Sequence, residues 1–296
     1  AVGRFAASTN GLSCSACPPG KYQAATGQSA CVACVAGKIA GSGAVTSADH
    51  CVNCGSGQYQ SRDGQTSCEE CAAGSYCPLG AAAPLPCLAG SYSANTNNDD
   101  AGDCDDCEPG YFCATGSVAP AMCAPGTNAS SAGAEACGKC PAGTFQKDEG
   151  QEYCVACTDG YYCAEGAAAA LPCPSGTRMD QSLEVMTSVE QCITCDAGHF
   201  CPVGSADQTP CAPGTNSSIE GAESCGKCPA GSFQAEEGKE SCEPCVEGYY
   251  CSEGAAAALP CPGGTTKPEG VAVMTSVEQC NTFSAGTFCP VGSAEE

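Results

Sequence analysis

Residues 140–157 read Cys140-Pro-Ala-Gly-Thr-Phe-Gln-Lys-Asp-Glu-Gly-Gln-Glu-Tyr-Cys154-Val-Ala-Cys157, and this stretch contains the unit that organises the whole chain. The unit is Cys-x-x-Gly, followed by one variable residue and, in most copies, Tyr or Phe. It recurs every ~16–22 residues, which indicates a linear array of small repeats. A sixteenth copy at residues 283–288 has Phe283 in place of the cysteine. The complete copies begin at Cys17, Cys34, Cys54, Cys71, Cys87, Cys107, Cys123, Cys140, Cys157, Cys173, Cys195, Cys211, Cys228, Cys245 and Cys261.

The composition favours covalent cross-links over an apolar core. The chain has 296 residues and 32 cysteines, about 11 %, a level typical of disulfide scaffolds. Leu, Ile, Val and Phe together are no more numerous than cysteine, and Trp is absent. We therefore expect small disulfide-rich repeats that form an elongated rod of short irregular β-hairpins, with little helix and no global hydrophobic core.

Charge and cysteine content also restrict location and partners. The formal net charge of −23 repels nucleic acid and anionic membrane surfaces, so neither is expected as a partner. Disulfides persist in oxidising compartments, so we expect an extracellular location, secreted or on the cell surface. No apolar run is long enough for direct membrane insertion and no signal peptide stands at Ala1, so we expect a mature or excised product.

A second period of 88 residues overlies the short one. Met186-Thr-Ser-Val-Glu-Gln-Cys192 returns as Met274 to Cys280, and most cysteines from Cys123 onward recur at the same distance. This period predicts a partial repeat at residues 1–33, followed by five-unit repeats at residues 34–122, 123–210 and 211–296.

The stretches Cys140-Pro-Ala-Gly-Thr-Phe145 with Cys154-x-x-Cys157, and Cys228-Pro-Ala-Gly-Ser-Phe233 with Cys242-x-x-Cys245, resemble ephrin-receptor-like cysteine-rich repeats. These repeats are related to the modules of tumour-necrosis-factor receptors, and the resemblance extends over nearly all of the chain. It implies the fold expected above but says little about function, because such repeats occur in receptors, protist surface antigens and extracellular filaments.

The resemblance implies a pairing scheme in which the first cysteine of each Cys-x-x-Cys bonds backward and the second bonds forward. Simple units then close as Cys17–Cys31, Cys34–Cys51, Cys54–Cys68, Cys140–Cys154 and Cys228–Cys242. Where a cysteine follows the aromatic residue, four cysteines close first to third and second to fourth. Those expected pairs are Cys71–Cys87 with Cys77–Cys104, Cys107–Cys123 with Cys113–Cys137, Cys157–Cys173 with Cys163–Cys192, Cys195–Cys211 with Cys201–Cys225, and Cys245–Cys261 with Cys251–Cys280.

This scheme does not include Cys14 and Cys289. In the 88-residue register Cys289 matches Cys201, whose expected partner is Cys225. Cys14 has the same spacing to its following cysteine as Cys225 has to Cys228. The scheme therefore predicts an intersubunit disulfide from Cys289 of one copy to Cys14 of the next, and with it head-to-tail polymerisation with copies of itself.

Metal binding and catalysis are the alternative chemistries. The ten Cys-x-x-Cys pairs are an alternative zinc pattern, but the cysteines that follow aromatic residues have no place in four-ligand sites. The acidic stretch from Asn97 to Glu108 is an alternative calcium loop, although Ala101 stands at a ligand position, and a solvated acidic loop is favoured. His50 and His199 lie outside any catalytic motif. We therefore expect no enzyme, no catalytic or metal-binding residues and no cofactor.

Two N-glycosylation sequons lie 88 residues apart, Asn128-Ala-Ser130 and Asn216-Ser-Ser218. Both asparagines stand in the slot that elsewhere holds the aromatic residue, and we expect glycans there that face solvent. The tyrosines and phenylalanines in the other copies are expected to pack over a neighbouring disulfide.

These observations favour a glycosylated structural subunit of an extracellular fibre, polymerising head-to-tail into a helical filament. The alternative is a binding module of the same fold, either a cysteine-rich receptor ectodomain or a protist surface antigen. A metal-binding protein is the third alternative.

Overall fold

The computed structural model describes residues 1–6, 13–41, 45–282 and 289–294. The chain forms two compact units. One holds Ala1–Lys139 with Gln146–Cys154, and the other holds Cys140–Phe145 with Val155–Glu296. The sixteenth copy of the sequence unit, at residues 283–288, lies outside the described residues.

Over the described ranges the secondary structure consists of sixteen two-stranded antiparallel hairpins and four 3₁₀ turns, which confirms the expected small disulfide-rich repeats with little helix. Each strand has only two or three residues, because glycine, proline and cysteine punctuate the chain so closely. The 3₁₀ turns are Ala48–His50, Ala101–Asp103, Val189–Gln191 and Val277–Gln279.

The hairpins follow one another along the chain without crossovers, each pairing consecutive strands. In the first unit they are β1 (Arg4–Phe5) with β2 (Ser15–Ala16), β3 (Lys21–Tyr22) with β4 (Val32–Ala33), β5 (Lys38–Ile39) with β6 (Val52–Asn53), β7 (Gln58–Tyr59) with β8 (Glu69–Glu70), β9 (Ser75–Tyr76) with β10 (Leu85–Pro86), β11 (Ser91–Tyr92) with β12 (Asp105–Asp106), β13 (Tyr111–Phe112) with β14 (Ala121–Met122), and β15 (Thr127–Asn128) with β16 (Gly138–Lys139).

The second unit contains the remaining eight pairs of the same design. They are β17 (Thr144–Phe145) with β18 (Val155–Ala156), β19 (Tyr161–Tyr162) with β20 (Leu171–Pro172), β21 (Thr177–Met179) with β22 (Cys192–Thr194), β23 (His199–Phe200) with β24 (Thr209–Pro210), β25 (Thr215–Asn216) with β26 (Gly226–Lys227), β27 (Ser232–Phe233) with β28 (Glu243–Pro244), β29 (Tyr249–Tyr250) with β30 (Leu259–Pro260), and β31 (Thr265–Thr266) with β32 (Asn281–Thr282).

From β3–β4 onward, we name each hairpin after its opening cysteine, the cysteine of the Cys-x-x-Gly motif that precedes its first strand. The Cys54 hairpin (β7–β8) shows the local design. Gly57 has a φ of +79°, a left-handed conformation that glycine adopts without a steric penalty, and it turns the chain into the first strand. Tyr59 then pairs with Glu69 across the hairpin. The second strand leads directly into Cys71, whose amide donates to the Gly57 carbonyl at 2.9 Å. The glycines at this position in the other hairpins that open with a cysteine also have a positive φ.

Buried cysteines take the place of a large apolar core. The opening cysteines of most hairpins are at most 3 % exposed. The apolar clusters among the described residues are small and local, and each of them includes disulfide sulfur. One groups Cys34, Ala40, Val45 and Cys51, a second groups Cys71, Cys77 and Ala81, and a third groups Cys173, Met179 and Met186.

Four of the five pairs expected for simple units are present as disulfides. They are Cys17–Cys31, Cys34–Cys51, Cys54–Cys68 and Cys228–Cys242. Cys140 and Cys154, the fifth expected pair, are each disulfide-bonded.

The expected pairing of the four-cysteine segments is wrong. The structure bonds first to second and third to fourth, so that Cys71–Cys87 and Cys77–Cys104 are replaced by Cys71–Cys77 and Cys87–Cys104. The same change applies to all five segments. The observed pairs there are Cys107–Cys113 and Cys123–Cys137, Cys157–Cys163 and Cys173–Cys192, Cys195–Cys201 and Cys211–Cys225, and Cys245–Cys251 and Cys261–Cys280.

The hairpin register gives the physical reason for this correction. Tyr22 pairs with Val32, so the next rung places Gln23 opposite Cys31, and side chains on one rung point to the same face. Cys31 bonds to Cys17 from that rung. In the Cys71 hairpin, Cys77 directly follows β9 and stands at the position that Gln23 has in the Cys17 hairpin. It therefore bonds to Cys71 from the first strand, where Cys31 bonds to Cys17 from the second. Each disulfide therefore closes one hairpin, whichever strand supplies the second cysteine.

Candidate functional site

The most regular surface of the chain is the interface between one hairpin and the next. Within each compact unit, the glycine of the Cys-x-x-Gly motif donates its amide N–H to the next hairpin. The acceptor is the carbonyl of the residue directly after the first strand of that hairpin, as in the bond from Gly74 to Ser93 at 2.8 Å. In the other direction, a loop glycine donates to the preceding opening cysteine, as Gly116 does to Cys87 at 2.8 Å. The interface therefore uses backbone groups, which every repeat supplies whatever its side chains are.

Second neighbours also touch, so the contacts of a hairpin extend beyond the adjacent repeat. A methyl group built on Gly74 would overlap the carbonyl of Gly116, two hairpins further along. Gly110 meets the carbonyl of Gly150 in the same way, and Gly198 meets that of Gly238. The unit glycine is thus required both by its positive φ and by the close approach of a second backbone.

The aromatic residue of one hairpin covers the disulfide of the next, as the sequence predicted. Tyr22 packs against the cluster that contains Cys34 and Cys51. Tyr59 packs against the cluster that contains Cys71 and Cys77. These rings shield sulfur that the short strands cannot bury by themselves.

A buried glutamine that was not singled out from the sequence fastens four of the simple hairpins. Gln146 is 5 % exposed, donates from Nε2 to the Tyr153 carbonyl at 2.7 Å and accepts from the Asp148 amide at 3.0 Å. The signal was present in the sequence, because glutamine stands six residues after the opening cysteine in each such hairpin. The other three are Gln23, Gln60 and Gln234, with equivalent bonds.

The sequon asparagines also span the interface. Asn216 is half-buried; its Nδ2 donates to the Glu240 carbonyl at 2.8 Å, and its Oδ1 lies 3.3 Å from Cys242 Sγ. Asn128 repeats this arrangement with Glu152 at 2.7 Å and Cys154 at 3.5 Å. A disulfide sulfur carries no proton, so the oxygen–sulfur approach is a packing contact. The asparagine covers the next disulfide where an aromatic ring does so elsewhere.

Two shallow clefts meet at Asn216. One is lined by residues that follow it in its own hairpin, among them Ser218, Ile219 and Glu223. The other lies towards the next hairpin and is lined by Pro229, Glu240 and Pro244 among others. Both clefts are open to solvent, and serines are among the residues that line each of them.

The two cysteines of the predicted intersubunit disulfide lie in different environments. Cys14 is exposed and has a free thiol. Cys289 is 7 % exposed, and its carbonyl accepts the Gly264 amide at 3.2 Å. Because Cys201 bonds to Cys195 and not to Cys225, the 88-residue register relates Cys289 to the position of Phe283 and no longer to Cys14. The Cys14–Cys289 bond stays a prediction, without the pairing argument that first suggested it.

The alternative metal sites find no geometric support in the described part of the chain. No group of three or more His, Cys, Asp or Glu residues is placed there to hold a metal ion. The Cys-x-x-Cys cysteines from Cys31 onward are disulfide-bonded, which removes the thiolates that zinc would need. In the acidic stretch, Asp103 Oδ2 accepts the amides of Asp99 at 2.8 Å and Asp100 at 3.3 Å. These bonds hold the pKa of Asp103 below its usual range.

His50 and His199 are in separate local settings. His50 Nδ1 lies 3.0 Å from the Ser47 hydroxyl, and His199 Nδ1 lies 3.3 Å from the Ala197 carbonyl. Within the ranges that the structure describes, no helix is long and apolar enough to cross a bilayer.

Comparison with known proteins supports the repeat assignment. The family model described as tyrosine-protein kinase ephrin type A/B receptor-like matches residues 3–51 and 214–257. No curated protein matches the chain. Both matched segments contain disulfide-fastened hairpins of the kind described above, and the hairpins between them share the same strand pairing. The chain therefore contains ephrin-receptor-like cysteine-rich repeats at residues 3–51 and 214–257.

Proposed function

We propose that this chain is a structural, non-catalytic subunit of an extracellular fibre in which copies join head-to-tail by continuing the hairpin stack. The observation that carries the proposal is the interface between hairpins, which consists of backbone hydrogen bonds and closely packed glycines. Such an interface does not depend on which repeat follows. A hairpin of one copy can therefore stack on a hairpin of another in the geometry used inside the chain, and a contact that does not close on itself gives a filament.

Gly264 is the position where we expect a second copy to bind. It has a φ of +83° and is equivalent to Gly248 in the preceding hairpin, where an added methyl would overlap the Gly292 carbonyl. Around Gly264, no described atom lies within 4 Å of the place that an added methyl would take.

The net charge of −23 also supports the fibre proposal, since it keeps neighbouring filaments apart laterally.

The test uses Gly264→Asn with Gly270→Asn as the matched control. Asparagine tolerates the left-handed conformation, as Asn97 shows here with a φ of 61°. Gly270 has a φ of +79° and also has no described atom near its methyl position, but it is not a unit glycine. Sedimentation and electron microscopy of the oxidised chain should show filaments for the wild type and for G270N, and monomers for G264N.

A wild-type chain that stays monomeric at high concentration would refute head-to-tail stacking. Filaments of G264N equal to those of the wild type would show that copies do not join at this slot. The Cys14–Cys289 bond is tested separately by non-reducing peptide mass spectrometry of the filaments, with Cys14→Ser as the variant. If the cross-linked peptide is absent from filaments, the bond is excluded and the stacking proposal stands on its own.

The second candidate is a cell-surface binding module, and the match to the ephrin-receptor-like family model favours it. In that case the repeats hold a ligand-binding region at a distance from the surface, and the chain remains monomeric. Binding of labelled, monomeric G264N to intact cells, saturable and competed by the unlabelled variant, would favour this candidate over the fibre.

A further inference from the structure

The sequon asparagines combine two chemical features that the fibre proposal does not use. Asn128 and Asn216 each head an Asn-x-Ser triplet, and each also bridges two hairpins through its side-chain amide. The bridge and a glycan both use the side-chain nitrogen of the same asparagine. They are compatible if the bridge needs only one of the two hydrogens on that nitrogen.

The Nδ2 group of asparagine carries two hydrogens, and only one of them is engaged. In Asn216 one N–H donates to the Glu240 carbonyl at 2.8 Å. In Asn128 one N–H donates to the Glu152 carbonyl at 2.7 Å. Because a backbone carbonyl can only accept a hydrogen bond, the asparagine must turn its side-chain nitrogen, and not its oxygen, towards this partner. An N-glycosidic bond replaces one hydrogen and leaves the other, so the bridge survives glycosylation.

Space for a sugar is present on both sides of Asn216. The clefts that meet there are open to solvent, and Ser218 lines both of them. Ile219 lies in the first cleft with 66 % of its surface exposed. A sugar attached to Nδ2 would cover this apolar side chain and find hydroxyl and carbonyl partners nearby.

We infer that Asn128 and Asn216 carry N-linked oligosaccharides, added before the following hairpin closes, and that each keeps its bridge to that hairpin. In the transfer, Nδ2 forms a bond to C1 of the first sugar. The bond from C1 to the diphosphate of a polyprenyl-diphosphate oligosaccharide breaks, the diphosphate leaves with the electron pair, and a base takes one Nδ2 proton. This inference rests on secretion and not on polymerisation.

The order of events follows from the contacts of the folded state. Asn216 is half-buried, and its Nδ2 donates to the Glu240 carbonyl, which lies 24 residues later in the next hairpin. A transferase must draw the asparagine side chain into its own active site, and the bridge to Glu240 holds that side chain against the next hairpin. Transfer therefore precedes closure of the Cys228–Cys242 disulfide, which fixes Glu240 in place.

Two variants separate the glycan from the bridge. Ser218→Ala destroys the sequon and keeps Asn216 with its bridge, whereas Asn216→Gln removes the sequon and displaces the bridging amide. The chain secreted from a eukaryotic host is digested and mapped after enzymatic release of glycans in ¹⁸O water. We expect ¹⁸O-labelled aspartate at positions 128 and 216 in the wild type and only at 128 in both variants. Amide exchange in residues 238–242 should stay at wild-type rates in S218A and rise about tenfold in N216Q, the change expected for one lost hydrogen bond.

Unlabelled Asn128 and Asn216 in secreted wild type, beside a glycosylated control protein from the same cells, would overturn the attachment. Unchanged exchange in N216Q would overturn the bridge. The order of events is tested with unglycosylated chain from a bacterial host, incubated with oligosaccharyltransferase and its lipid-linked donor. The reduced chain should accept glycan at both sites and the oxidised chain at neither; equal modification of both would refute the order.

Discussion

At the residue scale, the sixth position after the opening cysteine determines how a hairpin is fastened. In some hairpins this position is a cysteine, such as Cys77, which bonds to the opening cysteine from the first strand. In four other hairpins, where the bonding cysteine precedes the second strand, the position is a buried glutamine, such as Gln146. Both side chains lie on the rung next to the two-residue ladder. The glutamine holds the long loop of a simple hairpin by two hydrogen bonds, in a repeat too small to bury a core.

We predict that Gln146→Ala opens the loop of the Cys140 hairpin. The substitution removes two hydrogen bonds, one from the Asp148 amide and one to the Tyr153 carbonyl, each worth about 0.5–1.5 kcal/mol. Hydrogen exchange of the Asp148 amide should therefore accelerate about tenfold to a hundredfold. Gln151→Ala is the control, because the Gln151 side chain is exposed and bonds to Glu149 in its own loop, while its backbone bond from Ala129 survives the substitution. Equal acceleration in both variants would contradict a specific role for Gln146.

The acidic turn at Asp103 should respond to pH. The pKa of Asp103 lies below its ordinary value of 3.8 in the fold, because the amides of Asp99 and Asp100 bind its carboxylate. A carboxyl group whose pKa is lower in the folded state stabilises the fold at pH values above its unfolded pKa. This stabilisation is lost as the pH falls through the folded pKa. We therefore expect the Asp99 and Asp100 amides to lose protection below pH ~4.

A related turn in the second unit supplies the internal control for this prediction. There the Thr187 amide binds Gln191 Oε1 at 2.6 Å, and an amide oxygen does not titrate in this range. The Thr187 amide should keep its protection down to the same pH. Amide exchange measured from pH 3 to pH 6 decides the matter, and parallel loss at both turns would indicate general acid unfolding.

At the scale of the element, the short Cys-x-x-Gly unit predicted the hairpins and the packing of the aromatic residues. The cysteine pairing of the four-cysteine segments was not predictable from spacing, because Cys77 and Cys87 are both within reach of Cys71 in sequence. Only the strand register, Tyr76 with Leu85, places Cys77 on the rung that faces its opening cysteine. The bridging role of Asn216 was likewise hidden, since its partner Glu240 lies in the next hairpin.

We predict that a single cut between Cys77 and Cys87 separates the two observed disulfides of the first four-cysteine segment. Chymotrypsin can cut after the exposed Leu79, whereas the Leu85–Pro86 bond resists it, and peptides containing Cys71–Cys77 and Cys87–Cys104 should then be recovered apart without reduction. With first-to-third and second-to-fourth pairing the fragments would stay linked until reduced. Non-reducing peptide mass spectrometry distinguishes the two outcomes.

We also predict that Gly110→Ala is far more harmful than Gly27→Ala. Both glycines have a positive φ, so both variants lose about 1–2 kcal/mol to backbone strain. At Gly110 the new methyl additionally overlaps the Gly150 carbonyl, whereas no described atom lies within 4 Å of the methyl position at Gly27. Exchange of the Gly150 amide should rise more than about a hundredfold in G110A. An effect of G110A no larger than that of G27A would refute the close-packing argument.

At the scale of the whole molecule, stability is distributed over many local closures. Each hairpin contacts its first and second neighbours within a unit, so a defect should spread over that range and no further. The composition predicted this dependence on disulfides, because the chain lacks the apolar residues for a shared core. The second-neighbour contacts were not predictable, since they join glycine backbones that carry no side-chain pattern.

Removal of one disulfide tests the range of coupling. Replacing Cys54 and Cys68 together by serine removes a bond that closes a 14-residue separation, worth about 3 kcal/mol. Amide exchange should accelerate from the Cys17 hairpin to the Cys87 hairpin and stay unchanged in the pair β15–β16. Acceleration of β15–β16 as well would show that the array unfolds as one cooperative body.

Closure of each disulfide within its own hairpin also affects how the chain matures. The bonded cysteines are separated by 6 to 19 residues, so no thiol has to wait for a distant partner to be synthesised. Translation adds roughly 5–20 residues per second, and a new hairpin therefore leaves the ribosome every few seconds. Oxidation can proceed in step with translocation, and each finished repeat presents the template on which the next one folds. The ladder that holds the mature protein together thus also guides its own assembly from the N-terminus, with little need for disulfide reshuffling.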